Sequence, residues 1–570
     1  MPRPTHGSPR PRRDSRAFAE RYRAHRKAVW ITAAAAAVGA MVVAATGLAT
    51  AAPASKAAST ASAAPATTTS TATSAAATTW ISYTDGKLVY GTDSKGNRLP
   101  DFSYAGYDDG NAAIPTAPVE VTLKPQSSGD DTARIQAAID KVSALPLASD
   151  GLRGAVYLSA GTYRVGGALT ISASGVVLRG AGDGSGGTEL IASGTPRALV
   201  TFAGSGSIKR SGSAVDVTDT YVPIGATSFH VSSTAGLHVG ESIVVQRPQT
   251  QTWIDTLGMN DITNATAGDP AEHWNPNSGL EFERTIKAIS GDEITVDIPL
   301  TNALEKQYTQ ALVWPYTFAG RITNVGVEDF SADGLGFTTA ADYDTSGYFE
   351  ASFSTFSAVD GGWARNIVAR RFGSGMGSIN ANSEQVTWQN TAALEMQQAI
   401  PQAIHAQPAA YTISGQQNLV LGCQVSGSNL HAFTTEANTA GPNVFSDCTA
   451  TQLGGRRFDA GPHQRWDSGT LYDDITMAKG TGGTWDTELD VYNRYNAGSG
   501  QGWAGAANVL WNTTSDLYSV QSPPTSYNWA FGVHGAVEKP LVAGYPGQIV
   551  SAGTSMQPAS LYAAQLSQRK

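Results

Sequence analysis

Two stretches, Asn418-Leu-Val-Leu-Gly-Cys423-Gln-Val425 and Asn443-Val-Phe-Ser-Asp-Cys448-Thr-Ala450, repeat each other at an offset of 25 residues. Asparagine falls on asparagine, and the chain's only two cysteines fall on each other. A fixed period of about 20–50 residues marks a solenoid, in which each repeat buries its face only against its neighbours. The unit here is a short strand of Val, Leu and Phe bounded by Asn, Gly and Ser, with no helical pattern between. That spacing predicts coils of a parallel β-helix and directs attention to the solenoid's outer groove. Related coils start at Gly320-Arg-Ile-Thr-Asn324, Arg365-Asn366-Ile-Val, Gln385-Val-Thr-Trp and Asn508-Val-Leu-Trp-Asn512. Asparagines at matching turns are expected to stack and hydrogen-bond along the axis, a structural role.

The first 27 residues carry nine Lys or Arg against Asp14 and Glu20, and an uncharged Ala-rich run extends from Ala28 past Ala51. This is the layout of an export signal, with Ala49-Thr-Ala51 as the cleavage candidate. Arg12-Arg13 followed by Asp-Ser is a poor twin-arginine match. An uncleaved signal anchor is the alternative, since the run is long enough to span a bilayer. No other membrane contact is expected. Residues 52–79, almost wholly Ala, Ser, Thr and Pro, read as a linker that cannot bury enough apolar surface to fold. Cleavage after Ala51 leaves 29 basic and 45 acidic residues, a net charge of −16. A body that acidic argues against nucleic acid or an anionic membrane as partner, because both need basic patches.

Export also permits a disulfide. In-register residues on adjacent coils lie about 4.8 Å apart, inside the Cα range of a disulfide. Stacked inward-facing thiols fit equally well.

Asp130-Asp131-Thr-Ala-Arg-Ile-Gln-Ala-Ala-Ile-Asp-Lys-Val142 places Ile135, Ala138, Ile139 and Val142 at helical spacing, with Asp130 or Asp131 as N-cap. Short strands follow, separated by glycine turns, so the helix reads as a cap on the first coils. Gly182-Asp-Gly184-Ser-Gly-Gly187 fits a dinucleotide-loop pattern, but a strand rather than a helix follows it, and that reading is rejected. From about Ser205 to Tyr308 the coil rhythm gives way to alternating strands typical of an antiparallel sheet. The loop Thr252–Met259 there is unusually apolar and suits either leaning over the groove or packing the insert onto the solenoid. The expected parts are thus an export signal (1–51), a linker (52–79), a cap with first coils (80–204), an inserted β domain (205–310) and the main β-helix with its C-terminal cap (311–560).

Gly129-Asp-Asp-Thr-Ala-Arg-Ile-Gln-Ala-Ala-Ile-Asp140, Gly161-Thr-Tyr163 and Gly175-Val-Val-Leu-Arg-Gly-Ala-Gly182 together resemble secreted bacterial proteins of the pectate-lyase-like superfamily. The resemblance covers residues 100–205 and 311–535. It implies an all-β, right-handed parallel β-helix with an N-terminal capping helix. It also implies action on polysaccharides, as lyase or glycoside hydrolase, while some members are binding or tail-spike proteins. The signature of the well-studied pectate lyases is absent. Gly461-Pro-His-Gln-Arg-Trp466 and Gly500-Gln-Gly-Trp-Ala-Gly505 are similar to an uncharacterised branch.

Chemistry-bearing residues concentrate between 430 and 512. His431, Glu436, Arg456, Arg457, Asp459, His463, Arg465, Asp467, Asp473, Asp474 and Arg494 lie there, with Trp466, Trp485, Trp503 and Trp511. Flat aromatic faces beside charged groups suit a sugar-binding groove, with Trp466, Trp503, Trp511, Tyr472 and Arg457 as substrate-binding candidates. If His463–Asp467 runs as a strand, alternation sends His463, Arg465 and Asp467 to one face, which must then be the outer one.

Elimination on a uronate needs a cation for the carboxylate, a base for the proton at C5 and an acid for the leaving oxygen. Arg465 or Arg494 fits the first role, His463 or His431 the second and Tyr472 the third. Calcium held by Glu436 or Asp459 is a candidate aid, although no calcium loop is recognisable. Hydrolysis would need two carboxylates, with Asp467 and either Asp459 or Asp473 as the pair. A monomeric polysaccharide lyase is the reading these residues favour. A glycoside hydrolase and a non-catalytic glycan-binding adhesin are the alternatives.

Overall fold

A computed structural model describes residues 79–263, 272–336, 351–396, 408–428, 430–454, 458–498 and 500–570. The export signal, almost all of the linker, and Arg456 and Arg457 lie outside the described residues. Among the described residues, no helix is long and apolar enough to cross a membrane.

Twenty-six strands pair in one network whose coil-to-coil registers are all parallel, from Val119–Leu123 to Gln548–Val550. Three stacked sheets result. One register runs Glu328, Arg365, Gln389, Leu421, Ser446, Asp473, Trp511 and Phe531 up the first sheet. The residue after each is Asp329, Asn366, Asn390, Gly422, Asp447, Asp474, Asn512 and Gly532, and all eight have φ between 51° and 66°. From Asp329 to Gly532 the chain therefore turns from first to second sheet through one left-handed residue per coil, a conformation that Gly, Asn and Asp adopt at least cost, whereas the first coils turn at Leu158 and Gly180 without one. Asn366 donates to Asp329 Oδ1 at 2.8 Å, and Asn390 donates to Asn366 Oδ1 at 3.3 Å.

A second asparagine row is buried at another corner. Asn443 accepts from the backbone of Asn418 at 3.0 Å, Asn508 from Thr470 at 2.7 Å, and Asn528 from Asn508 at 2.9 Å. The expected ladder is thus two ladders, one shaping a corner and one satisfying buried backbone. Cys423 and Cys448 form a disulfide with Cα atoms 4.5 Å apart.

Inside, an aromatic column climbs the solenoid from Phe202 through Phe356, Trp388, Tyr411, Phe433 and Phe445 to Tyr472, with centroids 4.3–6.1 Å apart. Offset and tilted ring pairs of this kind add to plain burial. The helix Thr132–Ser143 closes the open end with Ile135, Ala138, Ile139 and Val142 turned inward. Asp131 sits at its N-cap, but the carboxylate bonds the backbone N–H of Arg164 at 3.0 Å, tying the cap to the first coils.

The insert is antiparallel, with Ser242–Gln249 central between Asn277–Ser290 and Leu312–Thr317. Its apolar stretch forms a helix, Gln251–Leu257, where a loop was expected. Thr250 caps its start by accepting from Trp253, and Gly258, at φ 70°, ends it. Trp253 meets Trp466 edge to face at 4.6 Å, so this element packs the insert onto the solenoid.

The left-handed corner yields a prediction. Asn366→Val places a β-branched residue at φ 54° and removes two side-chain bonds. It is expected to cost about 2–3 kcal/mol, whereas Asn366→Gly costs clearly less. Denaturant unfolding of the two variants checks this, and equal losses would contradict it.

Candidate active site

The third sheet carries a row of ionisable residues on its outer face. Register stacks Ala409, His431, Asp459 and Glu488 on successive coils. Inward neighbours Phe458, Ala460 and Leu489 fill the core, so alternation turns Asp459 and Glu488 outward. His431 Nδ1 bonds Asp459, and Arg494 Nη2 lies 3.8 Å from the other oxygen of that carboxylate. Arg494 also donates to the His463 carbonyl at 2.9 Å.

His463 forms a second pair. Its Nδ1 is 3.1 Å from Glu436, whose far oxygen accepts from Gln464 at 3.0 Å. The Gln501 amide meets Nε2 at 3.0 Å, and the two imidazoles lie 4.9 Å apart. A carboxylate only accepts, so each Nδ1 carries hydrogen and each neutral ring keeps Nε2 as its acceptor. Exposure separates the pairs. The His463 and Glu436 side chains are 25% and 29% exposed, against 8% and 7% for His431 and Asp459. Burial holds His431 below its ordinary pKa although Asp459 works to raise it. Burial pushes Glu436 up, but the bond to His463, the charge of that ring, the bond from Gln464 and the charge of His431 together keep the carboxyl below its usual range.

The expected site residues divide. His431, His463 and Arg494 converge in this cluster, and the Arg465 backbone N–H donates to the Gln501 carbonyl at 3.1 Å. The segment His463–Trp466 is a turn, not a strand, with Arg465 at φ 49° and Trp466 at φ 75°. Alternation therefore does not apply, and Asp467 faces inward. It is fully buried, accepting from Thr435, Thr470 and Asn508 at 2.6–2.7 Å. Asp473 is enclosed too, accepting from Ser446, Ser560 and the backbone of Leu561.

Tyr472 ends the aromatic column, and burial drives its pKa well up. Trp466 and Trp503 pack against the insert, the latter donating to Leu257 at 3.2 Å. Trp511 donates to Pro558 at 2.9 Å inside the C-terminal cap. Of the four tryptophans only Trp485 is exposed, at 50%. Arg457 lies outside the described residues.

Sequence reading missed Gln501, Glu488, Asp490 and Glu538. The last three hold ligand oxygens within 4.8 Å of one another, which suits a cation. Three such oxygens fall short of the six to eight that calcium takes, so water or substrate would complete the shell. The local signal was Glu488-Leu-Asp490, two acids at the period-2 spacing of a strand.

No family model matches the sequence, and no curated protein matches it. Solved structures do. The tailspike of Pseudomonas phage phi297 is 12% identical, with a TM-score of 0.27, over 74% of this chain and 73% of that one. The catalytic unit of an α-1,3-glucanase from Streptomyces thermodiastaticus is 12% identical, with a TM-score of 0.32, over 78% and 72%. A polygalacturonase from Erwinia carotovora is 11% identical, with a TM-score of 0.28, over 76% and 98%. At such values they say nothing of the reaction. The fold rests on the chain's own registers and cap: a parallel β-helix closed by a capping helix, with an inserted antiparallel domain.

Burial raises the carboxyls of Asp467 and Asp473 to about 6. The folded chain therefore keeps protons that the unfolded chain, titrating near pH 4, has lost. Stability is fullest below pH 4 on this account and falls as pH rises through 4 to 6, by up to ~3 kcal/mol per group. Asp467→Asn should flatten that slope by about half in unfolding midpoints measured from pH 4 to 7. An unchanged slope would contradict the assignment.

Proposed function

We propose that the protein is an extracellular carbohydrate-active enzyme that cleaves a uronate-containing polysaccharide by β-elimination at the His431–His463 row. The observation that carries this is the partly exposed His463, whose Nδ1 is held by Glu436 so that Nε2 is turned to Gln501. In this reading substrate displaces Gln501 and Nε2 takes the proton at C5. The C–H electron pair becomes the C4–C5 double bond, the C4–O bond breaks, and the imidazolium returns its proton to the leaving oxygen. Arg465 neutralises the substrate carboxylate. Arg494, 5% exposed, acts through Asp459 and the His463 carbonyl as a positioning residue.

Hydrolysis is the second reading, favoured by the in-register pair Asp459 and Glu488. Outward side chains on adjacent coils stand about 5 Å apart, the spacing of a retaining carboxylate pair. The pairs expected from sequence, Asp467 with Asp459 or Asp473, are disfavoured because Asp467 is fully buried with its oxygens bonded by Thr435, Thr470 and Asn508.

Incubation with acidic and neutral polysaccharides, following unsaturated-uronate absorbance and new reducing ends together, distinguishes these. Both signals should rise on an acidic glycan, and His463→Ala should lower kcat by about 10²–10⁴-fold while leaving glycan affinity within a few-fold. Reducing ends without absorbance would overturn elimination in favour of Asp459 and Glu488. Glycan binding without either signal would make the protein an adhesin.

A further inference from the structure

The excursion from Asn493 to Trp503 touches the His463 turn on one side and the inserted domain on the other. Asn493 bridges Trp503, and inside the loop Arg494 donates to the Gly502 carbonyl at 2.8 Å and Gly502 to that of Tyr495 at 2.9 Å. The tip, Gly500-Gln501-Gly502, brings the Gln501 amide to 3.0 Å from Nε2 of His463.

The insert grips this loop. Ile262 and Glu272 exchange backbone bonds at 2.7 and 3.0 Å, and Trp274 donates to the Met259 carbonyl at 2.9 Å, so the two stretches form one arm. From that arm Trp274 Nε1 donates to the Gly500 carbonyl at 3.3 Å and Thr263 N–H to the Tyr495 hydroxyl at 3.2 Å. Asn496 donates back to the Thr263 carbonyl at 3.2 Å. Gly500 and Gly502 have φ 70° and 62°, a left-handed conformation that glycine adopts at least cost. A Cβ at Gly500 would lie 2.6 Å from Glu272 Cβ, and one at Gly502 would lie 2.8 Å from the buried Trp274 ring. The glycines on either side of Gln501 are thus pressed onto the insert, which fixes the backbone between them.

The Gln501 side chain is held less firmly than its backbone. It is 8% exposed, and its amide oxygen has no hydrogen-bond partner among the described residues. The contact with His463 is its one side-chain bond there, so the amide leaves its place for the loss of a single neutral hydrogen bond. The imidazole is anchored by Glu436 at Nδ1. What yields at this contact is therefore the Gln501 side chain rather than the ring.

We infer that Gln501 gates Nε2 of His463, and that the inserted domain sets the closed position by fixing the backbone on either side of it. The inference rests on the reading of Nε2 as the working atom, and it gives the insert a part in the chemistry. A sugar hydroxyl that takes over the amide's bond opens the gate, so the base is bared when a pyranose unit is in place. Gln501 exchanges no proton and is a positioning residue.

Labelling of the substrate-free chain with diethyl pyrocarbonate, read residue by residue by mass spectrometry, tests this without any turnover. The reagent acylates the free nitrogen of a neutral imidazole, which in His463 is the Nε2 under the amide. Gln501→Ala should speed labelling of His463 by about two- to tenfold, the factor that one neutral hydrogen bond is worth. His230 and His534 should be labelled as before. Gly502→Ala, which crowds the insert without touching His463, and Trp274→Phe, which removes the bond to Gly500, should each speed it too. Using both keeps the test open if either fails to fold. Unchanged labelling of His463 in Gln501→Ala, or in both of the other variants, would overturn the inference. An equal rise at His230 and His534 would also overturn it, as general loosening. Since no substrate is present, absence of unsaturated uronate would sink the elimination reading and leave this result standing.

Discussion

Eight successive coils leave the first sheet through one left-handed residue each, and the stacking of that part of the solenoid depends on the repeated corner. Because the eight corner residues stack in register, the strands before them align in one sheet and those after them in the next. The parallel ladders then satisfy nearly every backbone group along the solenoid, leaving side chains to fill the interior. Asn, Asp and Gly at these positions are less a matter of polarity than of backbone conformation. Asp474, which reads as a candidate charge in sequence, is a corner residue first.

The inserted domain is held by two seams of different character. One is apolar, with Trp253 of its short helix against Trp466, and Trp503 beside it. The other is ionic, with Arg321 between Glu283 of the insert and Glu384 of the solenoid. Buried ion pairs contribute little net stability compared with apolar packing, but they fix geometry because mispairing leaves a bare charge. The tryptophan seam thus supplies most of the adhesion, and the arginine sets the registration. Three tryptophans that looked like sugar platforms are consequently used in packing, two on the insert and Trp511 in the C-terminal cap.

Much of the architecture was legible because its signals are local. The Asn–Cys repeat, the period-2 strands of the insert and the helical spacing of Ile135, Ala138, Ile139 and Val142 each report a backbone conformation over a few residues. His431, His463 and Arg494 stood out as well, since all three lie in the stretch from 430 to 512 where ionisable and aromatic residues gather. Reading failed where a turn interrupted a strand. At His463–Asp467, alternation assumed extended backbone, but left-handed Arg465 and Trp466 rotate the following residues, and Asp467 enters the core. Gln501 was missed because nothing local distinguishes it from other polar turn residues.

The sequence by itself determined a solenoid of short strands, its capping helix, an antiparallel insert and the stretch in which ionisable groups gather. Periodicity encodes these, because burying one face of a strand or helix demands a fixed spacing of apolar residues. Only the tertiary structure decided which charges face outward, that Cys423 bonds Cys448, and that Trp274 of the insert holds the loop carrying Gln501 to His463. Those outcomes depend on how coils stack and on how the insert lies against them. Contacts between residues hundreds of positions apart leave no mark in local spacing, and the free energy of an ionisable group is set by the neighbours that stacking brings to it.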